Sequence, residues 1–218
     1  MDEPTLKSIA GQLRQPSGEF AIQVGVKMNE GNRHINLYTL EALTLKPADN
    51  ILEIGMGNGF FVSDILSVDD SIQYAGCDFS EIMVDEARKY NEQFISTGQA
   101  AFHVASVDKL PFDNEVFDKA FSINTIYFWD NLQEALSEIR RVLKPKGQLV
   151  ISIRPKSIME HYPFVKYGFN MFTKEDLADL LSKNNFKVIA TLEIKEPEQE
   201  INDEKITVEA LLIRAEKQ

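Results

Sequence analysis

Three glycines alternate at Gly55, Gly57 and Gly59, directly after the apolar run Ile51 to Ile54, and the pairs Phe60-Phe61 and Ile65-Leu66 then open a helical pattern. A glycine-rich turn between a strand and a helix lets a ligand approach the backbone closely, and the free N–H groups at the helix start favour an anionic group. That much suits any nucleotide-like ligand. A dinucleotide fingerprint GxGxxG would need its third glycine at position 60, where the chain carries Phe60, and this argues against a nicotinamide-dependent dehydrogenase. A second apolar run ends at Asp78, nineteen positions after Gly59. A carboxylate at the carboxyl end of a strand accepts both hydrogens of a ribose diol, which neither lysine nor serine can do. Two more apolar runs end in polar groups, Ser106-Val107-Asp108 and Asn124, and Asn124 leads into Thr125-Ile126-Tyr127-Phe128-Trp129.

These groups need a scaffold that brings strand ends together. Short apolar runs at Ile51 to Ile54, Ile72 to Cys77, Ala101 to Ala105, Lys119 to Ser122 and Gln148 to Ile153 alternate with amphipathic stretches, the pattern of parallel strands joined by crossover helices. The clearest helix spans Leu132 to Leu143, with Asp130 and Gln133 set as a capping box and Lys144-Pro145-Lys146-Gly147 as its stop. Thr173 is placed to cap a helix carrying Leu177, Leu180 and Leu181, followed by strand-like runs Phe186 to Ile194 and Ile206 to Ile213. The acidic stretch between them, Glu196 to Glu204, reads as a solvated hairpin connection. Residues 1–46 form a helical cover, with Leu6, Ile9, Ala10 and Leu13 on one face and a break at Pro16-Ser17-Gly18. Within it, Asn29 and Asn32 flank Glu30-Gly31 as turn and cap residues. The segment Arg154 to Phe172 fits neither strand nor helix; its five aromatics, Tyr162, Phe164, Tyr167, Phe169 and Phe172, make it a lid over a pocket.

The chain has 218 residues and a formal net charge of −11. Nucleic acid and anionic membranes are poor partners for such a surface. The one cysteine, Cys77, excludes an internal disulfide and suits a reducing compartment. With an acidic start at Met1-Asp2-Glu3-Pro4 and no apolar run long enough to span a bilayer, the expected location is cytoplasmic.

Taken in order, Leu52-Glu53-Ile54-Gly55-Met56-Gly57-Asn58-Gly59, Cys77-Asp78-Phe79-Ser80, Leu110-Pro111-Phe112, Phe117-Asp118 and Arg141-Val142-Leu143-Lys144-Pro145-Lys146-Gly147 resemble the blocks of class I S-adenosylmethionine-dependent methyltransferases of the small-molecule type. The resemblance implies a Rossmann-like α/β domain over residues 47–218, doubly wound on a seven-stranded sheet of order 3-2-1-4-5-7-6 with the last strand antiparallel. It implies that Gly55, Gly57, Asn58 and Gly59 shape the turn over the methionine part of the cofactor, braced by Glu53. Asp78 would then hold the ribose hydroxyls, Phe79 would pack on adenine, and Asn124 would line the transfer pocket. The family commonly has an aspartate where this chain has Ser106, so adenine's amino group would fall to the Ser106 hydroxyl, to Asp108, or to backbone groups of Ser106 and Val107, the last being preferred. Tyr127, Trp129, Tyr162 and Phe164 are the expected acceptor pocket. His34, His161, Tyr127 and Asp130 are the candidate bases by residue type, and no metal is required. Thr125-Ile126 stand where relatives that methylate planar amino groups have two prolines, against adenine or glutamine as acceptor. The expected partner is a small-molecule acceptor, in a monomer or homodimer; the alternative is a regulatory protein that binds S-adenosylmethionine without transferring its methyl group.

Overall fold

The computed structural model describes residues 1–201 and 204–218. Helices α1 (Glu3–Arg14) and α2 (Ala21–Leu43) precede β1 (Asn50–Ile54), α3 (Val62–Leu66), β2 (Gln73–Asp78), α4 (Glu81–Tyr90), α5 (Glu92–Ser96), β3 (Ala100–Val104) and β4 (Phe117–Ile123). Then follow α6 (Leu132–Val142), β5 (Leu143–Ile153), α7 (Lys156–Met159), α8 (Lys174–Lys183), β6 (Phe186–Ile201) and β7 (Glu204–Lys217). The strands form one seven-stranded sheet in the order β3-β2-β1-β4-β5-β7-β6, parallel except for β7, which runs antiparallel to both β5 and β6. Order and antiparallel strand agree with the family resemblance.

Because both faces of the sheet are covered, successive residues of a strand enter different cores, and the strands read as continuous apolar runs. Leu52 and Ile54 join a cluster with Leu136, Ile139 and Leu177, whereas Ile51 joins one with Ile35, Leu43 and Val84. The parallel register sets the carboxyl ends of β1, β2 and β4 side by side, so the turns after Ile54, Asp78 and Ile123 share one edge, where open α/β sheets bind ligands.

Local detail departs from expectation in four places. The cap of α6 is Asn131, whose Oδ1 accepts from the backbone N–H groups of Gln133 and Glu134. Asp130 instead takes a two-pronged contact from Arg14. Asn29 and Asn32 lie inside α2, a helix of 23 residues, because Gly31 is tolerated mid-helix where tertiary packing holds both flanks. The acidic connection is largely strand, and Glu196 is buried against Arg154 (Nη2 to Oε2, 2.8 Å), since the long guanidinium just past the end of β5 reaches across β7 to it. Its Asn202 and Asp203 lie outside the described residues. Finally, the segment 154–172 is partly core: α7 starts it, and Ile158, Met159, Val165 and Phe172 are buried. Thr173, by contrast, caps α8 in a full capping box with Asp176.

Candidate active site

The turn after β1 holds Gly55 and Gly57 at positive φ, +72° and +58°. At Gly55 a side chain is excluded by contact, because a Cβ would lie 2.3 Å from Thr125 Cγ2. Nothing lies near the Cβ position of Gly57, which faces open space. Asp78 fastens this turn to the next one: its Oδ2 accepts from the Gly57 N–H (3.0 Å) and its Oδ1 from the Ser80 N–H (2.9 Å). Each carboxylate oxygen retains a second lone pair. Burial raises the Asp78 pKa, with the backbone donors of Ser80, Gly57 and Phe79 opposing. Behind it Glu53 is buried and accepts from the Tyr74 hydroxyl (2.6 Å); burial pushes its pKa up to about 7, against the pull of that hydrogen bond.

A cavity of about 320 Å³ opens over these turns. Glu53, Gly55, Gly57, Asn58, Asp78, Phe79, Ser106, Val107, Asp108 and Asn124 all line it, as does Trp129. Gly59 does not. It has φ +65° and faces α4, where a Cβ would sit 2.9 Å from both Ala87 Cβ and Asn91 Nδ2, so the turn and the helix packing both require glycine there. The N-terminal strap closes the rim, with Leu13, Arg14 and Pro16 in the lining, Pro16 O accepting from Ser80 Oγ, and Gln15 Nε2 donating to Phe79 O.

A second, mostly apolar cavity of about 980 Å³ lies beside the first. Tyr127, Tyr162, Phe164 and Phe169 form one wall, and residues of α1 and α2 with Phe20 form the other. The aromatics expected together are therefore divided: Trp129 borders the first cavity, and Tyr127, Tyr162 and Phe164 the second. Tyr167 turns outward beneath Lys7 and Lys166.

Five side chains border both cavities: Leu13, Met28, Asn32, Asn124 and Phe128. None is titratable. The base candidates lie elsewhere or are unsuited. The Tyr127 hydroxyl is buried among Arg154 and Asn124 with its pKa pushed up by burial, and Asp130 is held by Arg14 at an exposed rim. His34 packs on Tyr38, and neither it nor His161 borders either of these two cavities. The contribution of α2 was invisible as a motif; its signal is the spacing of Gly25, Met28, Asn29, Asn32 and Asn36 on one helical face, all of which border the first cavity.

The site accommodates S-adenosylmethionine on its own chemistry. Asp78 offers two lone pairs toward a diol, Gly57 leaves room for close approach, and Phe79 and Val107 give apolar surface for a base. Among the described residues no helix is long and apolar enough to cross a membrane.

A family profile described as a methyltransferase domain matches residues 52–151. An O-methyltransferase of Pyrenophora dematioidea is 28% identical over 170 residues, covering 74% of this chain; the chain spans 63% of that relative's length. Among solved structures, a complex of the Haloferax volcanii Trm112 methyltransferase activator with a methyltransferase contains a chain that superposes with a TM-score of 0.79 at 20% identity, covering 91% of this chain and 95% of that one. A SAM-dependent methyltransferase from Aquifex aeolicus gives a TM-score of 0.69 at 17% identity over 97% and 98% of the two chains.

Proposed function

The chain belongs to the class I S-adenosylmethionine-dependent methyltransferases, and from that premise we propose that it transfers the methyl group directly, in line, to a small and substantially apolar organic acceptor. The observation that carries this reading is the junction of two cavities, one lined by the glycine turn and Asp78, the other by aromatic and aliphatic side chains. Several curated relatives, including the Pyrenophora dematioidea protein, are named O-methyltransferases, which supports a small acceptor.

When bound, S-adenosylmethionine supplies a methyl group on a positively charged sulfur, a leaving group already activated for displacement. Asp78 and the Gly57 turn would hold the ribose, Phe79 and Val107 the adenine, and Ser106 or Asp108 its polar edge. Tyr162, Phe164 and Phe169 with the α2 wall exclude water and orient the acceptor. Holding two reacting atoms about 3 to 3.5 Å apart can supply roughly 7 to 11 kcal/mol of the barrier, so positioning is the main task of these residues. With no titratable side chain at the junction, the acceptor enters with its nucleophile already free of a proton or needing no strong base. The residues 1–46 would act as the cover over both cavities and 47–218 as the catalytic domain, in a monomer or homodimer with no nucleic-acid substrate. The test is to add S-adenosylmethionine and fractionated metabolites to the protein. S-adenosylhomocysteine should form with one fraction, containing a singly methylated apolar product. Efficient methylation of RNA or of a basic protein instead would overturn the acceptor assignment.

A further inference from the structure

Asn124 has φ +55°, in the left-handed region, and its side chain is turned into a fixed set of partners. The backbone N–H of Arg154 donates to the Tyr127 hydroxyl oxygen (2.6 Å) and is shared with Asn124 Oδ1 (3.2 Å), which also accepts from that hydroxyl (3.0 Å). A backbone N–H can only donate, so this end of the Asn124 amide must be the oxygen. The other end is then the NH2 group, and it donates to Asn32 Oδ1 at 2.9 Å. An Asn124 turned the other way would set N–H against N–H.

The same logic carries one residue further. With its oxygen committed to Asn124, Asn32 has its own NH2 group left, and Nδ2 has no partner among the described residues. Asn32 is half-buried on α2 and borders both cavities. The other side chains of the junction are Leu13, Met28 and Phe128, which are apolar, and Asn124, whose Oδ1 is engaged and whose NH2 group has one of its two N–H groups bound to Asn32. The polarity fixed by the Arg154 backbone is thus relayed through two amides and emerges where the cavities meet as a hydrogen-bond donor.

We propose that Asn32 is the specificity-determining residue for the acceptor, donating through Nδ2 to an oxygen of an acidic-oxygen compound such as a phenol, an enolised ketone or a carboxylic acid. This rests on the apolar-acceptor reading and narrows it. An amide NH2 cannot accept, so a donor-only group such as an ammonium gains no bond from Nδ2. Donation to an oxygen favours its ionised form, which offsets the desolvation an anion meets among Leu13, Met28 and Phe128. A site that gives this help needs no side-chain base, consistent with the absence of one at the junction.

The test uses the full chain saturated with S-adenosylhomocysteine at about pH 8, with 4-nitrophenol and its near-isostere 4-nitrotoluene as probes and calorimetry as readout. The wild type should bind 4-nitrophenol at least about tenfold more tightly than 4-nitrotoluene, as expected for a hydrogen bond to a charged oxygen. Asn32→Leu should bring the two within about threefold. Asn32→Asp keeps an oxygen for Asn124, and so keeps the fold, but presents a carboxylate to the cavity; it should reverse the preference. Both variants should bind S-adenosylhomocysteine within about threefold of wild type by calorimetry. The proposal is overturned if the wild type shows no preference, if Asn32→Leu retains it, or if either variant loses S-adenosylhomocysteine binding, which would assign Asn32 to the cofactor. If neither probe binds, the apolar-acceptor reading itself falls, and the inference with it.

Discussion

Replacing Glu53 by glutamine should change how stability depends on pH, with a size and sign set by burial. The Glu53 carboxyl is buried and its pKa is raised from the usual 4.5 to about 7, with desolvation the largest cause and the charge of Asp78 adding to it. In the native state the group therefore holds its proton between about pH 4.5 and 7, where the unfolded chain has released it. Native protein binds more protons than unfolded protein in that window, so this group's contribution is fully present below about pH 4.5 and is lost as the pH rises through 7. At about 1.36 kcal/mol per unit, wild type should lose on the order of 2 kcal/mol between pH 5 and pH 8 through Glu53 alone. Glutamine keeps a carbonyl to accept from the Tyr74 hydroxyl and cannot ionise. Glu53→Gln should therefore match wild type near pH 5 and exceed it by roughly 2 kcal/mol near pH 8. Urea unfolding of both proteins across that range, with the m-value checked for constancy, measures the difference. Parallel stability curves would refute the reasoning, and a variant weaker at pH 8 would show that the Glu53 charge is favourably paired.

Asp78→Ala should weaken S-adenosylhomocysteine binding at least tenfold, since a charge-assisted hydrogen bond contributes about 1.5 to 3 kcal/mol, whereas Asp108→Ala should cost less; calorimetry giving the reverse order would exchange their roles. Gly55→Ala should destabilise by roughly 2 kcal/mol or more through the 2.3 Å clash with Thr125 Cγ2 and the strain of φ +72°, and Thr125→Ser in the same chain should recover only part of the clash, because Thr125 Cβ would still lie 2.9 Å away. Phe164→Ala with Phe169→Ala should abolish turnover of an apolar acceptor while S-adenosylhomocysteine affinity stays within about threefold; an equal loss of both would mean that these rings support the fold alone.

The sheet was legible because its strands are buried on both faces and so appear as uninterrupted apolar runs between amphipathic helices. The tight turn of Gly55, Gly57 and Gly59 was legible because positive φ at all three leaves glycine at alternate positions, and the strand end at Asp78 because its apolar run stops there. That Gly59 also packs against Ala87 and Asn91 was not legible, because a glycine demanded by a neighbouring helix looks no different in sequence from one demanded by a turn. Asn29 and Asn32 were mistaken for turn residues because asparagine and Gly31 are weak helix formers, and only the tertiary packing of α2 outweighs that preference. Glu196 was read as solvated because its partner, Arg154, lies 42 positions away and no local pattern reveals it. The division of the aromatics between two cavities depends on the fold of 154–172, a segment with no period to read.

The most direct test of the account is a turnover measurement. Purified protein is mixed with S-adenosylmethionine carrying an isotope-labelled methyl group and with an apolar metabolite extract, and label and S-adenosylhomocysteine are followed together by mass spectrometry. The account predicts S-adenosylhomocysteine and a labelled, apolar, oxygen-bearing product in equal amounts. Micromolar binding of S-adenosylmethionine, roughly 8 kcal/mol, with no labelled product from any extract would contradict transfer and leave a protein that binds the cofactor only to sense it.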